Sequence, residues 1–157
     1  MRFLARAVAV TLGTILVAGA AAAQSRPVRL GGHLGYDFDS DHFALGPQAT
    51  IPLTRRLDFY PSLDFYFIDP GSLWALNADL RYRVPGVRPE WLYLGAGLDI
   101  RTRSFRGSSE SRAGINLIVG AESRKGPVQP FGEARVTLRD GSIFQLNGGL
   151  NFPLGRR

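Results

Sequence analysis

The chain has 157 residues, 45% of them hydrophobic and 20% charged, with a formal net charge of +6 and no cysteine. That length fits one domain, and a chain without cysteine has no disulfide framework to rely on. Two of the arginines fall in the first six residues. Behind them 17 basic and 13 acidic residues remain, a net of +4 that is too mild to argue for nucleic acid as a partner.

The first 23 residues read as a secretory signal peptide. Arg2 and Arg6 form a basic start, Ala7 to Val17 an apolar run and Ala21-Ala22-Ala23 a small-residue cleavage site, with cleavage before Gln24. The competing reading is an uncleaved membrane anchor, but the run is shorter than the ~20 apolar residues that a spanning helix needs. Residues 24–157 are then the single exported domain. No later segment is a continuous apolar run of spanning length. An exported domain without disulfides favours a fold that closes on itself through backbone hydrogen bonds.

Eight strand-like runs follow with no helical periodicity between them. They are Val28–Asp37, Phe43–Leu53, Leu57–Phe67, Leu73–Val84, Trp91–Arg101, Arg112–Glu122, Gln129–Arg139 and Ser142–Leu154. Turn-forming stretches separate them: "DFDSD", "TRR", "DPGS", "PGVRPE", "SFRGSSES", "SRKGP" and "DG". Short gaps predict antiparallel pairing of consecutive strands in an up-and-down meander.

Residues 72–85, "SLWALNADLRYRVP", show the dyad pattern most clearly. Trp74, Leu76, Ala78, Leu80, Tyr82 and Val84 alternate with Asn77, Asp79, Arg81 and Arg83, and successive strand side chains point to opposite faces. Sorted by parity, one face of the eight strands holds no charge. The other carries Arg29, His33, Asp37, Gln48, Asp58, Asp64, Asp99, Arg101, Asn116, Glu122, Glu133, Arg135, Gln145, Asn147 and Asn151, with glycines between. Three features predict that the polar face points inward. Glycine at 31, 35, 95, 97, 114 and 149 suits a tight lumen and only weakens a solvated strand. Asp and Glu are interleaved with Arg and little Lys, as enclosed paired charges require. The outward aromatics fall in two belts, Tyr36, Phe43, Phe65, Phe67, Trp74 and Phe144 near one rim and Phe59, Tyr82 and Phe152 near the other. Ten residues at ~3.3 Å rise and ~45° tilt cover roughly 23 Å, close to the ~25 Å apolar band of membrane barrels.

In strand number, dyad pattern, girdles and final strand the chain resembles the small eight-stranded outer membrane β-barrel proteins. These include the transmembrane domain of outer membrane protein A and its relatives, the X and opacity proteins. Their C-terminal assembly signal runs polar-x-Gly-x-x-apolar-x-apolar, and Asn147, Gly149, Phe152 and Leu154 match it; here "GRR" follows Leu154 in place of a terminal aromatic. The resemblance implies an all-β, eight-stranded antiparallel transmembrane barrel in a Gram-negative-type outer membrane. It further implies lipopolysaccharide outside, anionic phospholipid inside and the barrel assembly machinery as partners, with a monomeric state.

Candidate chemistry is sparse. The only histidines are His33, expected in the lumen near Gln48, and His42, expected at the outer rim. Neither is matched by a facing serine or cysteine, so no catalytic residue is assigned. Asp58, Asp64, Asp79, Asp99, Glu122 and Glu133 are matched by Arg81, Arg83, Arg101 and Arg135, so a salt-bridged lumen is expected and no metal or cofactor site. Pro47 and Pro61 interrupt strands two and three at roughly opposed positions, either as a weakened seam or as a pair of β-bulges. Arg55, Arg56, Arg88, Arg124, Lys125, Arg156 and Arg157, opposed mainly by Glu90, make the inner rim basic; Asp39, Asp41 and Asp69 mix with Arg103 and Arg106 outside. The function expected is a porin-like structural or surface protein of the cell envelope with a side-chain-filled lumen and no catalysis. A lipid-modifying enzyme and a narrow channel are the alternatives.

Overall fold

The computed structural model describes residues 26–86 and 91–155; the segment expected to be a signal peptide and Arg88, Glu90, Arg156 and Arg157 lie outside the described residues. Eight strands, β1 (Arg29–Asp37), β2 (His42–Pro52), β3 (Leu57–Tyr66), β4 (Ser72–Arg83), β5 (Leu92–Phe105), β6 (Ser108–Glu122), β7 (Gln129–Arg139) and β8 (Gly141–Pro153), form a closed barrel in chain order. Antiparallel pairing of β1 with β8, from Arg29↔Pro153 to Asp37↔Gln145, closes it.

Alternation along each strand decides what faces where. In β4, Ala75, Asn77, Asp79 and Arg81 are buried while Leu76, Ala78, Leu80 and Tyr82 are exposed. The same inversion holds around the wall: Arg135 is 1% exposed and Leu98 61%. A water-soluble protein would not leave this band of leucine, isoleucine, valine and phenylalanine outside and bury its charges. The aromatics Tyr36, Phe43, Phe59, Phe67, Trp74, Tyr82, Phe144 and Phe152 all lie on the outer wall. At one rim Tyr36, Phe38, Phe43 and Phe144 form a contiguous cluster with ring centroids 4.8, 4.9 and 5.4 Å apart.

The described termini and the connections β2–β3, β4–β5 and β6–β7 gather at one end, the near rim; the four remaining hairpins form the far rim. Polar side chains satisfy the turn backbones. Thr54 Oγ1 accepts the amides of Arg56 and Leu57 at 3.2 and 3.0 Å at the near rim. Asp37 Oδ1 accepts those of Asp39 and Ser40, both at 3.0 Å, at the far rim.

Three expectations are corrected. "SFRGSSES" is not a loop: β5 and β6 run on to Phe105↔Ser108, joined by Arg106 and Gly107 at φ 49° and 82°. Two consecutive left-handed residues make the tight hairpin turn whose twist matches its strands. Cross-strand hydroxyl pairs, Thr102–Ser111 at 2.8 Å and Ser104–Ser109 at 3.1 Å, supply the rungs. Pro47 and Pro61 are not opposed: Pro47 pairs with Gly32 on β1 and Pro61 with Ala78 on β4. The β2–β3 register is the same from Ala44↔Tyr66 to Pro52↔Asp58, so no residue is inserted and neither proline is a bulge; the ladder is instead interrupted at Gly46–Pro47 and at Ala49–Thr50. His33 sits between Gly46 and Gly149, two positions from the expected Gln48, which pairs with Gly31.

Candidate functional site

The barrel interior holds the polar groups in three layers. At the near mouth, Asp58 is ringed by Arg26 at 2.7 Å, Arg83 at 2.9 Å, Arg124 at 3.4 Å and Arg29 at 3.5 Å. Glu122 takes Arg124 at 2.5 Å and Arg29 at 2.8 Å. Arg26 precedes β1 and crosses to the β2–β3 turn, donating to the Thr54 and Arg55 carbonyls at 3.1 and 3.2 Å. Burial pulls its guanidinium below the ordinary value against the opposing pull of Asp58, and an arginine so placed stays charged. Four guanidinium groups share two carboxylates here, an excess of positive charge.

The middle layer is richer in acid. Glu133 accepts Arg81 at 2.5 Å, Tyr93 at 2.9 Å, Arg135 at 3.1 Å and Asn147 at 3.3 Å. Arg135 also reaches Asp64 at 3.3 Å and Asp79 at 3.5 Å. Asp64 is further held by His33 Nε2 at 2.5 Å and by Asn77 at 3.0 Å, and Asp79 by Asn116 at 2.9 Å. The Arg81 guanidinium carbon lies 3.0 Å from the Tyr60 ring centroid, 4.5 Å from that of Tyr93 and 5.6 Å from that of Phe131. A flat cation stacked on aromatic faces fills the cross-section with few rotatable bonds.

At the far end, Arg101 bridges Asp37 at 2.8 Å and the Tyr66 hydroxyl at 2.6 Å, and Tyr66 donates to Gln145 at 3.1 Å. Asp99 takes Arg139. All ten expected lumen charges therefore lie inside and are paired. Arg26, Arg29, Asp37 and Arg139 join them as partners, and Phe131 and Ile118 lie inside as well; their parity was the only signal for the two apolar residues.

Glycine makes room where these groups crowd the wall. A Cβ at Gly97 would meet Asp79 Oδ1 at 2.3 Å and the Ala78 carbonyl at 2.4 Å. Of the expected assembly signal, Asn147 and Gly149 face inward, and Phe152 and Leu154 face outward at 47% and 49% exposed.

Chemically, this interior pairs charges. His33 Nδ1 is buried and unpartnered, as are the Ser62 and Thr50 hydroxyls. His42 opens β2 opposite Asp37. Among the described residues no group of three or more His, Cys, Asp or Glu is arranged to hold a metal ion.

A closed eight-stranded antiparallel barrel, polar within and apolar without, is the fold of the small outer membrane barrels. Solved structures agree. The N-terminal β-barrel domain of Pseudomonas aeruginosa OprF matches with a TM-score of 0.62 at 18% identity, covering 81% of this chain and 96% of that one. Neisserial surface protein A matches with a TM-score of 0.59 at 15% identity and the same coverage, 81% and 96%. A de novo designed barrel, TMB2.3, matches with a TM-score of 0.50 at 14% identity, covering 83% and 96%. At these identities the likeness is one of fold. No protein-family model and no curated protein matches the sequence.

Proposed function

We propose that the chain is a non-enzymatic outer membrane barrel with a structural or surface role, its lumen closed by its own side chains. The carrying observation is the middle layer. Arg81, Tyr60, Tyr93 and Phe131 stack across an eight-stranded interior, a size that side chains fill, and Glu133 on β7 holds Arg81 and Tyr93 while itself accepting from Arg135. The apolar outer band between two aromatic belts supports a bilayer as its surroundings. Phe152 and Leu154 are the anchors that the assembly machinery would read on a monomer entering that bilayer. A surface role would be carried by the β5–β6 hairpin, because β7 pairs with β6 only from Ile115 and leaves one edge of Ser108–Gly114 free. Such an edge accepts an added strand.

Planar-bilayer recording together with mass spectra of lipid A from cells with and without the gene tests this reading. It expects no steady current and identical lipid A. Steady ohmic single-channel current would make the protein a channel, and a changed lipid A mass would make it an enzyme.

A further inference from the structure

At the near rim the outer wall carries a groove of about 550 Å³, lined by Trp91, Ala121, Ser123, Lys125, Pro130 and Gly132 among others. Its floor is made of two small residues that face each other across the ladder, Ala121 and Gly132, and the next strand continues with Gly148 opposite Gly132. A Cβ at Gly132 would meet nothing closer than the Asn147 carbonyl at 3.9 Å, so the hollow opens outward from the wall. Trp91 and Pro130 are exposed at its sides. Backbone hydrogen bonding fixes its end, Ser123 N donating to the Pro130 carbonyl at 2.8 Å.

Charge is distributed unevenly about this hollow. Lys125, the only lysine of the chain, is exposed at its rim. Glu122 also borders it, but it is buried and its Oε1 takes both Arg29 and Arg124, at 2.8 and 2.5 Å, so two guanidinium groups offset one carboxylate and the end of the groove stays positive. Among the described residues the near rim exposes Arg55, Arg56 and Lys125 and no acid, whereas the far rim exposes Asp39, Asp41, Asp69, Glu110 and Asp140 against Arg103, Arg106 and Arg112.

We infer that this groove binds one molecule of an anionic glycerophospholipid from the leaflet at the near rim. This rests on the membrane-spanning reading above. An acyl chain lies along Ala121 and Gly132 between Trp91 and Pro130, and the headgroup phosphate sits against Lys125. A smooth apolar trough ending in a cation at the depth of an interfacial tryptophan matches the two ends of such a lipid. The chemistry of a free phosphate would need only the cation; the trough selects the lipid.

The test uses the full exported chain, refolded into vesicles of phosphatidylcholine doped with phosphatidylglycerol, extracted into mild detergent and weighed by native mass spectrometry. One retained phosphatidylglycerol per barrel is expected, with phosphatidylcholine alone giving none. Lys125→Gln, in an exposed turn, should lower retention roughly fivefold, the equivalent of the ~1 kcal/mol that one cation contributes at an anionic surface. Gly132→Leu, which fills the trough with an apolar side chain the bilayer tolerates, should lower it as much while leaving Lys125 in place. Arg56→Gln, on the same rim outside the groove, should leave it unchanged. Equal losses from Arg56→Gln and Lys125→Gln, or retention untouched by Gly132→Leu, would show diffuse rim charge and overturn the groove. Heat-modifiable gel migration of the same samples separates the two levels. Insertion without retained lipid refutes the groove alone, and failure to insert refutes the membrane reading with it.

Discussion

Glu133 is the carboxylate on which the middle layer turns, and its removal gives the sharpest prediction. In Glu133→Ala, Arg135 keeps Asp64 and Asp79 at 3.3 and 3.5 Å, but Arg81 loses its only carboxylate partner. Stranding a buried charge in this way costs about 3–5 kcal/mol. Tyr93 and Asn147 lose an acceptor as well, about 1 kcal/mol each. The stack on Tyr60 returns no more than about 2 kcal/mol, and it is present before and after the change. A net loss of about 5 kcal/mol is expected. Arg81→Met in the same background removes the stranded charge and leaves an apolar chain among three rings, so the double variant should recover about 2–3 kcal/mol of that loss. Urea unfolding in lipid vesicles, followed by tryptophan fluorescence and gel mobility, measures all three variants against the unmodified barrel. A loss below about 1 kcal/mol for Glu133→Ala, or a double variant no more stable than the single, would refute the claim that Arg81 is held by charge rather than by its aromatic surroundings.

Other perturbations probe the wall. Phe152→Asp puts a carboxylate in the apolar outer band and removes an anchor of the proposed assembly signal; it should leave a chain that does not insert, and normal heat-modifiable migration would argue against the assignment. Gly97→Ala drives a methyl group into Asp79 and the Ala78 carbonyl and should destabilise by about 1–3 kcal/mol, whereas Gly132→Ala, with open space before it, should be near neutral in the same urea assay. Amide exchange should be faster in Leu45–Ile51 of β2, beside the interrupted ladder, than in Leu94–Arg101 of β5, where every residue is paired on both sides; equal protection would contradict a weakened β2–β3 seam.

The wall was legible in the sequence because one requirement, an apolar exterior, falls on every strand. Each strand must present an apolar residue outward at every second position, and a turn must follow after about ten residues. Those two rules located all eight strands and the outward face of each. They fail where the requirement ends. Beyond Arg101 the β5–β6 hairpin leaves the apolar band of the wall, so Ser104, Ser108, Ser109 and Ser111 carry no apolar alternation and read as a loop. Hydroxyl rungs and an Arg-Gly turn hold that part instead, and neither has a period to detect. The two prolines were misplaced for a simpler reason. Register is set by the Thr54–Arg56 turn, and an error of two positions there preserves every face while changing every partner.

Pairs between neighbouring strands, such as Arg83 with Asp58, were within reach of the sequence, but the partners across the lumen were not, for a geometric reason. Parity states that a side chain points inward; strand tilt and barrel closure decide which wall it meets. Arg29 on β1 finds Glu122 on β6, Arg101 on β5 finds Asp37 on β1, and Arg81 on β4 finds Glu133 on β7. Each crosses the lumen, where cross-strand reasoning has no reach. The residue types nevertheless foreshadow the outcome. Arg81 and Arg135 each engage several groups at once, Arg135 touching three carboxylates from its two terminal nitrogens. A planar fork spreads those contacts over separate nitrogens and offers a flat face to the rings, which a single ammonium nitrogen does not. Lysine accordingly occurs once, in an exposed turn at the near rim, where a strongly hydrated point charge keeps its water.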